Sequence, residues 1–187
     1  KLKRKEQSIY KPTDLWTQED DLLFLRYCPS KRMKCYHAMS RDTGCRPHEL
    51  LKLRIRDIVF KSAGDTQYAE VLVNGKTDSR HIPLINSLPY VKDYLDQEHP
   101  QPNNYNAPLF AAERKSLGRA IQLSSLYSLY DTYKKELFPK LLQDSRNVLA
   151  EDKQKIISLL RKPWNPYIRG ALNTWNIFRR FKNGVAV

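Results

Sequence analysis

An arginine and a glutamate stand at a turn between two predicted helices. Within residues 41–50, Gly44 is a natural helix end, and Arg46 precedes a new helix that begins at Pro47. Glu49 is placed to orient a guanidinium by paired hydrogen bonds. An arginine held in this way suits a phosphate, because its planar fork matches two phosphate oxygens. An ordinary capped helix with a surface Arg–Glu pair has the same spacing, and spacing alone favours that plainer interpretation.

Lys76 follows Gly75 in the predicted turn between two strands. A lysine at a hairpin tip extends beyond the sheet and can reach a DNA groove or a scissile phosphate. A solvated turn lysine is the simpler interpretation of this residue alone. Residues 75–77 are not a P-loop, because the glycine-rich lead and the following helix are missing. The sequence therefore does not support ATP chemistry.

The charge of the chain favours a polyanionic partner. Its 187 residues include 33 Lys and Arg against 20 Asp and Glu, which gives a formal net charge of +13. This balance is typical of nucleic-acid-binding proteins, although a generic basic protein shares it. A hydrophobic fraction of 41% argues against wholesale disorder. We see no membrane span and no secretory signal, so we expect a soluble, cytoplasmic protein without a membrane partner.

The cysteines do not indicate a disulfide framework or a zinc site. The chain has an odd number of cysteines, namely Cys28, Cys35 and Cys45, and it contains no C-x-x-C pair. His37 and His48 lack zinc-finger spacing. We therefore expect buried or half-buried thiols and no metal ligands.

Periodicity predicts a fold that is mainly α with a small three-stranded antiparallel sheet. Thr17 is a predicted helix cap, and Gly44 is a predicted helix end. The Asn74-Gly75 pair favours a hairpin turn. The predicted helices cover residues 17–28, 31–43, 46–57, 87–98, 124–138 and 150–160, and the predicted strands cover 58–60, 68–73 and 81–84.

The motifs, taken in order, resemble those of the tyrosine recombinases, or phage-type integrases. Residues 43–50 and 53–57 are similar to the first-arginine motif of that family, and the lysine between the second and third strands is similar to its catalytic lysine. Residues 138–142 and 162–169 resemble the archaeal branch. The resemblance covers about residues 12 to 169, and it implies an integrase of a mobile element that breaks and rejoins DNA.

The resemblance also implies roles for individual residues. Family members cut one DNA strand at a time without metal, ATP or another cofactor, through a tyrosine that forms a covalent phosphotyrosine. Arg46 would stabilise the charge that builds on the phosphoryl oxygens, and Glu49 would orient it. Lys76 would protonate the leaving 5′ oxygen. Double-stranded DNA would be the partner, bound alone or together with other integrase protomers.

The C-terminal part departs from the family pattern. Tyr167 falls where the family has its first histidine, and Gly170 falls where it has its second arginine, so Arg169 is the substitute for that arginine. No tyrosine follows Tyr167, and no nucleophile is evident. Tyr127, Tyr130 and Tyr133 lie at core spacing on a predicted helix and are poor nucleophile candidates.

These observations predict three segments and two alternative functions. The segments are a basic arm or linker (1–12), an integrase-type catalytic domain (13–169) and a divergent or truncated tail (170–187). The first hypothesis is a catalytic domain that binds DNA but does not cleave it as this chain stands. The alternative is a non-catalytic basic DNA-binding or architectural module, and RNA binding is a weaker third choice. The first hypothesis requires the charged ends of Arg46 and Lys76 to lie close enough together to contact the same phosphate group.

Overall fold

The computed structural model of the chain describes residues 12–75, 79–113, 116–144, 146 and 148–167. Helices dominate this part of the chain, and a single three-stranded antiparallel sheet lies in its middle, which confirms the predicted fold class. The predicted arm lies almost wholly outside the described residues, and the predicted tail lies entirely outside them. The elements are α1 (Gln18–Tyr27), α2 (Lys31–Thr43), α3 (Pro47–Leu50), β1 (Ile58–Ala63), β2 (Thr66–Asn74), β3 (Ser79–Leu84), α4 (Leu88–Gln97), α5 (Leu123–Thr132), a π-helical turn (Tyr133–Leu137), α6 (Phe138–Gln143) and α7 (Ala150–Arg161).

Local capping signals set the ends of the first two helices. The Thr17 hydroxyl accepts a hydrogen bond from the backbone N–H of Asp20, and the Asp20 carboxylate accepts one from the backbone N–H of Thr17. Helix α2 ends at Gly44, whose φ of 65° lies in the left-handed region that favours glycine. Both predicted helix boundaries are confirmed, so α2 delivers the chain to the Arg46 turn at a fixed position.

The helix predicted over residues 46–57 is wrong in its length. Helix α3 has four residues, and a short 3₁₀ segment (Ile55–Asp57) follows it after a break. Backbone N–H groups of Ile55 and Arg56 donate to the carbonyls of Ala107 and Tyr105, at 3.1 and 3.0 Å. The chain leaves the helix here because these partners from a distant loop satisfy its N–H groups in an extended path.

The helix predicted over 124–138 continues to Gln143 and contains a π-helical turn. The backbone N–H of Phe138 donates to the carbonyl of Tyr133, five residues earlier. Pro139 follows directly and has no N–H group of its own, and its ring would clash with the preceding turn of a regular helix. The wider turn accommodates this proline without ending the helix.

The sheet has the order β1-β2-β3 with antiparallel pairing throughout. Its inner face is buried on the helices through alternate residues of the central and third strands. Asn74 pairs with Ser79, so four residues connect β2 to β3 instead of the two of a tight Asn-Gly hairpin. The inward-facing residues are Ala69, Val71, Val73, Ile82 and Leu84.

Aromatic rings form the centre of the helical core. The Phe24 ring is fully buried and lies parallel to that of Phe138, at 6.0 Å between centroids, and to the His37 imidazole, at 4.3 Å. Nε2 of His37 lies 2.7 Å from the Asp21 carboxylate, and both side chains are fully buried. Helices α1, α2 and α6 are therefore joined around one ring. No helix in the described ranges combines the length and apolar character that a membrane crossing needs.

The Asp152 carboxylate joins α7 to α1. It accepts hydrogen bonds from the Arg26 guanidinium at 2.5 Å and from the Tyr27 hydroxyl at 2.7 Å. Burial acts to raise the pKa of Asp152, but these hydrogen bonds and the charge of Arg26 outweigh it and lower the pKa below its ordinary value of 3.8.

Replacing the central aromatic ring should destabilise the fold strongly. We expect Phe24→Ala to lower the free energy of unfolding by about 3–5 kcal/mol, because it leaves a cavity in a packed core. Phe60→Ala is the matched control, since its ring is half-exposed, and should cost less than about 1 kcal/mol. Urea unfolding of both variants measures the difference. Equal losses would contradict the placement of Phe24 at the core centre.

Asp152→Asn should reduce the stability of the fold at neutral pH and weaken the dependence of that stability on pH in the acid range. Because the folded pKa of Asp152 is lowered, its contribution is present above the ordinary value of 3.8 and is lost as the pH falls toward the folded pKa. The free energies of unfolding of wild type and variant should differ at about pH 7, and the difference should shrink as the pH falls below 3.8. A difference that stays constant below pH 3.8 would contradict a role for the carboxylate charge.

Candidate nucleic-acid interface

The turn between α2 and α3 presents Arg46 to solvent on a constrained backbone. Gly44 ends α2, Cys45 is buried, and Arg46 stands in an extended conformation (φ −68°, ψ 149°) directly before Pro47. The Arg46 side chain is exposed, and its guanidinium makes no hydrogen bond or ion pair with any residue that the structure describes. The turn therefore holds a cation whose donors face outward.

Glu49 contacts Arg46 differently from the sequence-based expectation. Its Oε2 accepts a hydrogen bond from the backbone N–H of Arg46 at 2.7 Å, and no bond to the Arg46 guanidinium occurs. The expected guanidinium contact is thus wrong: Glu49 is the third residue of α3, and its side chain reaches back to the free N–H group that precedes the helix, as in a capping box. Glu49 therefore contacts the main chain of Arg46.

Arg80, which the motif analysis missed, provides the guanidinium that Glu49 does bind. Its Nη2 lies 3.4 Å from Oε1 and 3.3 Å from Oε2 of Glu49, and 3.6 Å from the Sγ of Cys45. Strand alternation places Arg80 on the same face as the buried residues Ile82 and Leu84. An arginine in step with the apolar residues of a strand was the signal in the sequence that could have found it.

Both ends of β3 are tied to the segment that carries Arg46. Arg80 attaches the start of the strand to Glu49. Beyond its end, the Asp42 carboxylate of α2 accepts hydrogen bonds from the backbone N–H groups of Ile85, at 3.0 Å, and Ser87, at 2.6 Å. Two carboxylates thus fix the edge of the sheet against the Arg46 turn.

Two of the predicted site residues, Lys76 and Arg169, lie outside the described residues. The structure describes the residues that bracket the loop of Lys76. Asn74 and Ser79 pair across the two strands, and the Ser79 hydroxyl donates to Oδ1 of Asn74 at 2.6 Å. The strand that leaves this loop is the one that Arg80 attaches to Glu49.

Tyr167 contacts a second tyrosine rather than the described residues of the Arg46 turn. Its ring is 45% exposed and packs on the ring of Tyr127, at 6.2 Å between centroids. No hydrogen bond or ring contact joins Tyr167 to Arg46, Glu49 or Arg80, all of which the structure describes.

The tyrosines of the helix α5 region differ in exposure. Tyr130 and Tyr133 are buried, as their spacing predicted, and burial raises the pKa of Tyr133. Tyr127 is 39% exposed, so its predicted core position is wrong. The regular helix before the π-helical turn directs Tyr127 away from the face that Leu126 and Tyr130 bury.

The three cysteines are buried thiols, as predicted. Burial raises the pKa of Cys28 to about 12 and raises those of Cys35 and Cys45 as well. These groups are therefore poor nucleophiles at neutral pH. Within the described ranges, no group of three or more His, Cys, Asp or Glu residues is arranged to hold a metal ion.

Comparisons with known proteins give a similarity to a solved structure but not to a family model. No family model matches the sequence, and no curated protein does. Among solved structures, the chain is similar to the XerH site-specific recombinase bound to its difH substrate in a pre-cleavage complex, with a TM-score of 0.47 and 18% identity. The alignment covers 93% of this chain and 53% of that chain, so the present chain spans about half the length of the recombinase.

Proposed function

We propose that this chain is a DNA-binding catalytic-type domain of a tyrosine recombinase, similar to the archaeal integrases of mobile elements. The observation that carries the proposal is the Arg46 turn. A partly buried carboxylate fixes its main chain, while the guanidinium has no partner among the described residues. An arginine with a fixed backbone and an exposed guanidinium, in a chain of net charge +13, is suited to bind a backbone phosphate of double-stranded DNA.

The remaining roles are proposed from the sequence motifs. Arg46 would offset the negative charge that builds on the phosphoryl oxygens during attack, and Arg169 would assist it as the second arginine. Lys76 would protonate the leaving 5′ oxygen. Tyr167 would stand in the place of the first histidine. No cofactor enters this scheme, which would operate in the cytoplasm, where other integrase protomers on the same DNA would complete the assembly.

Cleavage also needs a nucleophile, and the family's C-terminal tyrosine has no counterpart in this sequence, since no tyrosine follows Tyr167. Tyr130 and Tyr133 are buried, and the ring of Tyr167 packs on that of Tyr127. We therefore propose that this chain, by itself, binds DNA without forming a covalent intermediate.

Arg46→Gln should weaken duplex binding more than the loss of an ordinary surface charge. A charge-assisted contact to phosphate accounts for roughly a ten- to hundred-fold change in affinity, and its loss reduces the salt slope by about one. Binding of a fluorescent DNA duplex, titrated at several salt concentrations, measures both quantities. Arg146→Gln is the control, because the Arg146 side chain is 92% exposed on the surface.

Equal effects of the two substitutions would favour the alternative function. Arg46 would then be one phosphate contact among many, as expected of a basic architectural module without a recombinase site. A wild-type protein that binds RNA more tightly than duplex DNA at the same salt concentration would overturn both the recombinase proposal and the architectural alternative.

A nicked suicide duplex should yield no covalent adduct with this chain alone. The expectation follows from the position of the tyrosines, since a phosphotyrosine bond needs a phenol next to the bound phosphate. Denaturing electrophoresis after incubation with a pool of nicked duplexes detects such a bond. An adduct from this chain alone would disprove the proposed inability to cleave. An adduct that forms only with a second, tyrosine-bearing chain would show cleavage in trans.

A further inference from the structure

We propose that Arg80 is a second phosphate-binding arginine of this interface, which contacts the DNA backbone beside the phosphate bound by Arg46. The inference rests on the proposed function, and it adds a residue from the sheet to a site so far built from the α2–α3 turn. Three features of Arg80 support it: its position, its unused donors and the local charge.

The position of Arg80 is set by the residues on either side of Arg46. Its Nη2 contacts Glu49, three residues after Arg46, at 3.3 Å, and Cys45, the residue before it, at 3.6 Å. These contacts join two segments that are 31 residues apart in the chain. A DNA strand that reaches Arg46 therefore passes the side chain of Arg80.

The guanidinium of Arg80 retains donors that no described residue uses. Its hydrogen bonds to described residues all involve Nη2, whereas Nε and Nη1 make none within the described ranges. The side chain is 52% exposed, so its other edge faces solvent. A planar guanidinium that is anchored at one edge is pre-oriented to bind phosphate oxygens with the other.

The described residues leave one guanidinium of this turn without a carboxylate partner. Glu49 is the carboxylate that contacts this turn, and its side chain is only 13% exposed. It shares one negative charge between the guanidinium of Arg80 and the backbone N–H of Arg46, so the guanidinium of Arg46 remains uncompensated. An anionic ligand between the two arginines would restore the balance.

Arg26 provides a matched comparison within the same chain. Its side chain is also 52% exposed, and its carboxylate partner, Asp152, is also largely buried. The two pairs thus resemble each other in exposure and chemistry, but Arg26 joins α1 to α7 and has no second, unpaired arginine at its contact. Arg26→Gln therefore controls for the loss of an arginine from a half-exposed ion pair.

The test is a double-mutant cycle of duplex binding as a function of salt concentration, with wild type, Arg46→Gln, Arg80→Gln, the double variant and Arg26→Gln. We expect Arg80→Gln to reduce affinity roughly ten-fold and the salt slope by about one, and the double variant to reduce the slope by about two. If Arg80 only positioned Arg46, the double variant would match Arg46→Gln, and that result would overturn the proposal. An effect of Arg80→Gln no larger than that of Arg26→Gln would also overturn it.

Arg80→Lys keeps the proposal testable if Arg80→Gln fails to fold. A lysine retains the charge and lacks the planar fork, so we expect the wild-type salt slope with an affinity lowered several-fold. An affinity within about two-fold of wild type would overturn the proposed contact. Two other results would overturn the proposed function itself. One is a wild-type protein that does not bind duplex DNA, and the other is an Arg46→Gln variant that binds it as tightly as wild type.

Discussion

The candidate interface depends on the carboxylate of Glu49. A carboxylate that is largely removed from water must recover its lost hydration through hydrogen bonds, and Glu49 does so with the backbone N–H of Arg46 and the guanidinium of Arg80. One bond fixes the start of α3, and the other fixes the start of β3. Because both donors come from segments that carry exposed cations, the requirement to satisfy one buried charge also determines where those cations lie.

The helical core makes this arrangement rigid. Helix α2 carries Gly44 at its end and Asp42 in its last turn, and its middle is held by the buried His37 between Asp21 and the Phe24 ring. The Asp42 carboxylate then binds the backbone beyond β3. A shift of α2 would therefore disturb both the core and the sheet edge. The turn that presents Arg46 is thus supported from within the domain as well as by Glu49.

Features with local causes could be predicted from the sequence, and features with distant partners could not. The bounds of α2 follow from Ser30 and Gly44, which cap its two ends with neighbouring backbone groups. The early end of α3 depends instead on carbonyls of Tyr105 and Ala107, some fifty residues away along the chain. The π-helical turn before Pro139 could not be predicted from hydrophobic spacing, because it separates the buried residues Tyr133 and Phe138 by five positions, whereas an α-helical pattern expects three or four.

The same distinction applies to the interface. Arg46 and Glu49 are close in sequence, so their proximity was predictable, but the choice of donor was not, since the backbone N–H and the guanidinium of Arg46 are both within reach of a side chain three residues on. Arg80 reaches Glu49 only through the register of β2 and β3, in which it lies opposite Val73. Strand alternation places its side chain on the face of Ile82 and Leu84, at an exposed end of that face where it meets the Glu49 carboxylate.

Phosphate binding and phosphate chemistry make different demands on a site of this kind. Binding needs cations with free donors, and the guanidinium of Arg46 has no partner among the described residues, while Arg80 is anchored beside its turn. Cleavage needs in addition a nucleophile in line with the phosphorus, held within a few ångströms of those cations. The arginines of the turn can therefore account for binding by charge alone, whereas cleavage would require in addition that a phenol be brought in line with the bound phosphate.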